Sequence, residues 1–149
     1  MTAIDTTARA QTDSISFEFD LPHAPDKVWR ALTEPALLAE WLLPVVTLEL
    51  EPGAPFAFRA PPQQPGWDGM VKCRFLEIEA PRKLSYSWAV GDMELDTVVT
   101  FTLTPTASGT RLSLVHSGFR PDQKQALGGA RYGWNMMTGK LVDLLARIP

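Results

Sequence analysis

The sequence predicts an α+β domain, a curled antiparallel sheet of about seven strands around one long C-terminal helix, with two short helices between the first and second strands. Three observations carry this prediction. Residues 14–21, SISFEFDL, alternate apolar and polar, the period of a half-buried strand. Residues 25–41 hold two short apolar stripes at helical spacing, each opened by a proline. The chain closes on GGARYGWNMMTGKLVDLLARIP, in which Trp134, Met137, Leu141, Leu144 or Leu145, and Ile148 recur at three- and four-residue steps, as on one face of an amphipathic helix.

Taken in order, Ile15, Phe17, Phe19 and Leu21 share one face of the first strand, and Ser14, Ser16, Glu18 and Asp20 share the other. Pro25 and Pro35 both suit the first turn of a helix. Val28, Trp29 and Leu32 form the stripe of one helix and Leu37, Leu38 and Trp41 that of the next. Pro35 places a break near Glu34. Six strand-like runs follow, at Val45–Leu50, Phe56–Arg59, Met70–Ile78, Leu84–Ala89, Glu94–Thr104 and Arg111–Ser117, separated by turn-forming segments such as EPGAP, VGD and TPTASGT. Sequential strands joined by short turns make an antiparallel meander. Residues 61–69 are the longest irregular piece and are expected to cover an opening.

The parity of residues 70–78 stays open. Val71, Cys73 and Phe75 form one candidate inner face, and Met70, Leu76 and Ile78 form the other, which would turn Lys72 and Arg74 inward. The last helix, counted from Gly129 to Ile148, would be ~30 Å long. Gly133 and Gly139 each weaken it by ~1 kcal/mol against Ala, which points to close packing of backbone on the sheet. A sheet of this size needs its apolar face covered, and the last helix is the only element long enough. A sheet curled around one helix leaves a cavity between them. Residues 1–13 read as a disordered tail, and residues 14–149 as a single domain.

Composition excludes several classes of function. The net charge is −3 and the sequence pI about 5.3, and no run of Lys and Arg could neutralise a row of phosphates. Nucleic acid is therefore not an expected partner. The most apolar stretch, LLAEWLLPVV, is interrupted by Glu40 and Pro44 and is too short to span a bilayer. The N-terminal residues have no apolar core of the secretory kind. Cys73 is the only cysteine, so a reducing, cytoplasmic setting is expected. Two histidines and one cysteine at no familiar spacing fall short of a zinc site, and no glycine-rich phosphate loop or G-x-S-x-G nucleophile turn occurs. No metal, cofactor or catalytic residue is assigned.

At this point the chain resembles a known group, the START-like helix-grip superfamily, also called SRPBCC. Within it, the chain is similar to homologues of the activator of the heat-shock-protein-ninety ATPase. The matching pieces are APDKVWRALTEPALLAEWL (24–42), PGAPF (52–56), EIEAPRKLSYSW (77–88), VVTFTLTPTASGTRLSLVHSGF (98–119) and GW at 133–134. Ala54 departs from the glycine pair usual in that group. The eukaryotic activator carries a further domain ahead of this one, whereas here a short polar tail precedes the first strand, so the group's name is not read as an activity.

The resemblance implies a small binding protein that holds an apolar or aromatic molecule, or a lipid, between the helix and the sheet. Two alternatives stay open. One is a cyclase- or aromatase-like enzyme using His116, Tyr86, Arg74 and Asp96 for proton transfer. The other is a co-chaperone-type interaction module of the stress response. Monomer and homodimer are both compatible with the sequence.

The expected lining is apolar with a few polar atoms, as suits a small-molecule pocket. Tyr86 and Trp88 share one strand face, Val99 and Phe101 a second, and Leu114 and His116 a third. Trp134, Met137 and Leu141 would face them from the helix. Trp41, Phe58 and Trp67 complete the set. Arg74 and His116 are the candidate polar anchors. His116 follows Leu112 and Leu114 on their face, yet its strand is ending, so its imidazole is expected at the wall or mouth of the cavity.

Overall fold

Alternation along residues 14–21 becomes one strand of an eight-stranded, wholly antiparallel sheet in the computed structural model, which describes residues 4–5, 14–46, 48–59, 70–90 and 95–149, with backbone alone at 4, 5, 95 and 96. The strands are β1 (Ile4–Asp5), β2 (Ser14–Leu21), β3 (Val45–Val46), β4 (Pro55–Arg59), β5 (Met70–Glu79), β6 (Lys83–Val90), β7 (Leu95–Thr106) and β8 (Gly109–Ser117). Their order across the sheet is β1-β2-β8-β7-β6-β5-β4-β3. The first long strand thus pairs with the last, and the meander runs back from there.

Seven of the strands are those expected. The eighth, β1, falls in the segment read as a tail, where Ile4 pairs with Glu18 and Asp5 with Phe17. Residues 1–3 and 6–13 lie outside the described residues, as does the expected cover at 61–69. The run expected at Val45–Leu50 pairs only at Val45–Val46, opposite Phe58 and Ala57.

The ambiguous parity of residues 70–78 has a geometric explanation. Val71, Cys73 and Phe75 are buried, and Lys72 and Arg74 are exposed. The register slips between Phe75 and Glu77, so Leu76 is the extra residue of a β-bulge and is 46% exposed. Past the bulge the inward parity changes, and Ile78 pairs with Leu84 and packs on the core. The first candidate face holds as far as Phe75, and of the second only Ile78 turns inward.

Helices α1 (Pro25–Thr33) and α2 (Pro35–Trp41) meet at Glu34, which is extended (φ −86°, ψ 122°) and ends one helix while it begins the other. The Trp41 indole N–H donates to the Ala31 carbonyl at 2.8 Å, locking the second helix onto the first. Helix α3 (Lys124–Arg147) begins five residues before the expected Gly129. A 3₁₀ turn at Pro121–Gln123 leads into it, and the Arg120 backbone N–H donates to Gln123 Oε1 at 2.8 Å.

At 24 residues, α3 is ~36 Å long, and it buries Trp134, Thr138, Leu141, Leu144 and Leu145. Its glycines do not pack on the sheet as expected. A Cβ at Gly139 would meet nothing within 4 Å, and one at Gly133 only the Met137 methyl at 3.8 Å. Gly109 is the glycine the fold requires. It opens β8 at φ +156°, and any Cβ there would collide with the Leu21 carbonyl oxygen.

Candidate functional site

The concave face of the sheet carries an aromatic cluster that spans five strands and α3. Phe56 and Phe58 come from β4, Phe75 from β5, Tyr86 and Trp88 from β6, Phe101 from β7 and His116 from β8. Strand alternation places them on one face. Tyr86 meets four rings, Phe56 at 5.2 Å, Phe75 at 6.0 Å, Phe58 at 6.2 Å and Phe101 at 6.2 Å between centroids. Trp88 meets Trp134 at 5.5 Å, Phe58 at 5.6 Å and His116 at 5.7 Å. Phe58 therefore lies against both Tyr86 and Trp88.

His116 is fully buried, not at a mouth open to water. Gly118 turns the chain (φ 98°), and Phe119 folds back over the imidazole with ring centroids 4.7 Å apart. Both ring nitrogens are engaged. The Trp134 indole, a donor only, gives its N–H to His116 Nδ1 at 2.9 Å. Nδ1 is therefore the acceptor and Nε2 carries the proton, which it donates to Thr97 Oγ1 at 2.6 Å. The Thr97 hydroxyl in turn donates to the Trp88 carbonyl at 3.0 Å. Burial lowers the His116 pKa to about 3. A neutral imidazole with no free nitrogen neither binds a ligand nor takes a proton without breaking this chain.

Arg74, the other candidate anchor, points outward, and its guanidinium donates to the Gly53 carbonyl at 2.7 Å. Its strand parity before the bulge decides this. Trp41 is 1% exposed with its indole N–H already bonded, so it is core rather than lining. Val99, Phe101, Leu114 and Leu141 are buried in the same core. Met137 is half-buried against its edge. Trp67 and the side chain of Asp96 lie outside the described residues. Thr97 went unnoticed in the sequence, although it continues the inward run of Val99, Phe101 and Leu103 by two residues.

Tyr86 and Trp88 differ from all these. Their residues are 2% and 8% exposed, yet among the described residues neither the phenol hydroxyl nor the indole N–H has a hydrogen-bond partner. Every side-chain nitrogen or oxygen sealed from solvent does have one, so these two groups reach accessible space. They sit two residues apart on β6. Burial raises the Tyr86 pKa well above the ordinary value, with a smaller push from Cys73, whose own thiol is raised by burial. Both groups therefore stay neutral. Clefts formed by described residues at Glu79, Arg82 and Lys83, and at Gly128, Arg131 and Tyr132, share none of the expected lining.

The family model for Activator of Hsp90 ATPase homolog 1-like proteins matches residues 22–146. No curated protein matches the chain. Among solved structures, the crystal structure of protein MLL2253 from Mesorhizobium loti is 41% identical, with a TM-score of 0.83 over 91% of this chain and 98% of that one. CalU16 from Micromonospora echinospora is 26% identical, with a TM-score of 0.73 over 98% of this chain and 85% of that one. DynU16, a protein of the dynemicin biosynthetic locus, is 23% identical with a TM-score of 0.77, and the match covers 92% of this chain and 48% of that one. These likenesses agree with the helix-grip architecture. No helix among the described residues is long and apolar enough to cross a membrane.

Proposed function

The chain belongs to the Activator of Hsp90 ATPase homolog 1-like family, and from that premise we propose that it binds a small apolar or aromatic molecule between its long helix and its sheet. One observation carries the reading. Phe56, Phe58 and Phe75 pack on Tyr86, and Phe58 also on Trp88, and the polar groups of these two residues have no partner among the described residues. Both groups reach accessible space, where a bound molecule would accept from them in place of water. CalU16 and DynU16, the latter from a biosynthetic locus, lend support as relatives of the same fold. The enzyme alternative loses two of its four residues, because His116 is locked neutral and Arg74 faces outward.

The test is an NMR titration of the indole N–H resonances with 2-ethylnaphthalene. The Trp88 resonance should shift saturably while that of Trp41, bonded to Ala31, stays nearly fixed. Backbone amide shifts confined to the exposed Tyr132 and Leu76, followed in the same titration, or no saturable indole shift, would overturn the reading.

A further inference from the structure

We propose that residues 120–133 form a lid that opens as a unit, with both of its ends clasped on His116, while the rest of α3 stays packed. This goes beyond the binding reading and does not depend on it. Burial divides α3 in two. From Trp134 onward the helix buries Trp134, Thr138, Leu141, Leu144 and Leu145. Its far end is tied down as well, by Arg30, which donates to the Pro149 backbone oxygen at 3.1 Å, and by Arg147 and Glu40 at 3.9 Å. None of residues 120–133 is buried. Ala126, Leu127 and Ala130 rest half-buried on the edge of the core. Segments with so little buried contact are the first to open in a native fold.

The two residues that bound this segment are buried, and both hold the same imidazole. Phe119 packs on His116 with ring centroids 4.7 Å apart, and the Trp134 indole N–H donates to Nδ1 at 2.9 Å. Gly128, Gly129 and Gly133 lie between these anchors. None of them has a positive φ. A Cβ at Gly128 or Gly129 would meet nothing within 4 Å, and one at Gly133 only the Met137 methyl at 3.8 Å. Neither backbone conformation nor packing calls for glycine here, and each one makes the helical state about fivefold less favourable than alanine would. Where the two halves meet, the buried Thr138 hydroxyl donates to the Trp134 carbonyl at 2.7 Å and to the Asn135 carbonyl at 3.2 Å, a bond that bends helices. Opening the lid uncovers the core edge beneath Ala126, Leu127 and Ala130 and leaves the clasp intact.

Hydrogen exchange followed by NMR tests this on the full chain, in wild type, Gly128→Ala, Gly129→Ala and Gly139→Ala. In wild type the amides of 128–133 should be at least about a hundredfold less protected than those of 141–145. Urea below the unfolding range should speed exchange at 141–145 and hardly change it at 128–133, because a small opening exposes little surface. The Trp134 indole N–H should stay in the slow class. Gly128→Ala and Gly129→Ala should each slow lid exchange about fivefold. Gly139→Ala, whose site has equal room but lies beyond the hinge, should leave it within about twofold. A single class of protection and urea response along α3, or equal slowing of the lid amides by Gly139→Ala and Gly128→Ala, would show the helix opening as one body and overturn the proposal. Exchange of the Trp134 indole at the rate of the lid amides would overturn the clasp. No ligand enters these measurements, so a failed binding reading leaves them unchanged.

Discussion

Two ends of one aromatic cluster treat their polar atoms in opposite ways. Around His116, the Trp134 N–H, both imidazole nitrogens, the Thr97 hydroxyl and the Trp88 carbonyl form an unbroken series of hydrogen bonds. Around Tyr86, four phenylalanine rings close in, yet the hydroxyl has no bond among the described residues, and neither does the neighbouring Trp88 N–H. The first end is finished as a protein interior. At the second, two polar groups without a partner among the described residues reach accessible space, although burial alone would rank the ends alike. Hydrogen-bond satisfaction tells these two ends apart where burial does not.

The sharpest test of the comparison is Trp134→Ala. It removes the largest side chain that α3 buries and strips His116 Nδ1 of its donor, so a loss of about 3–5 kcal/mol in urea-derived stability is expected. A loss below about 1 kcal/mol would mean that this end is not the packed support described above.

Acid should act on the same end. His116 has a pKa of about 3 in the folded chain and about 6.5 when unfolded. Below pH 6.5 the unfolded state takes up the proton first, so stability falls as pH drops toward 3 and levels off below it. Between pH 7 and pH 5 this group should cost about 2 kcal/mol. Stability curves at the two pH values should show that slope in the wild type, reduced by that amount in His116→Gln. His23 contributes in the same direction, since burial and Lys27 lower its pKa as well, so His23→Gln serves as the comparison variant.

Thr97→Val keeps the shape but leaves the His116 Nε2 proton without an acceptor. A loss of about 1.5 kcal/mol is expected, read from the urea midpoint at constant slope. The smallest effect belongs to the other end. Tyr86→Phe removes a hydroxyl that has no partner among the described residues, so stability should change by less than about 0.5 kcal/mol. A large loss there would erase the contrast between the two ends.

Strand and helix order was legible because it depends on local periodicity. The alternation of Ile15, Phe17 and Phe19, the prolines at 25 and 35, and the stripe from Trp134 to Leu145 each report a single element. The bulge at Leu76 was not legible, because a one-residue insertion leaves two plausible alternations and only the partner strand selects the point of change. The helix start was missed for a related reason. Gly128 and Gly129 look like a boundary, but nothing crowds them, and Pro121 with the Gln123 bond sets the entry instead.

For the site, the sequence by itself determined which residues face inward on β6, β7 and β8, since strand parity follows from the backbone pleat. Tyr86, Trp88, His116 and Trp134 were all identified as inward groups with polar atoms to satisfy. What each polar atom meets was decided only by the tertiary structure. His116 lies 18 residues from Trp134 and 19 from Thr97, and no local pattern carries information across such distances. The packing of α3 on the sheet closed one end by bringing the Trp134 donor to an imidazole whose acceptor, Thr97, comes from β7. Among the described residues it brought none to Tyr86, whose neighbours are phenylalanine rings, or to the Trp88 indole, whose polar neighbours His116 and Trp134 are already bonded elsewhere.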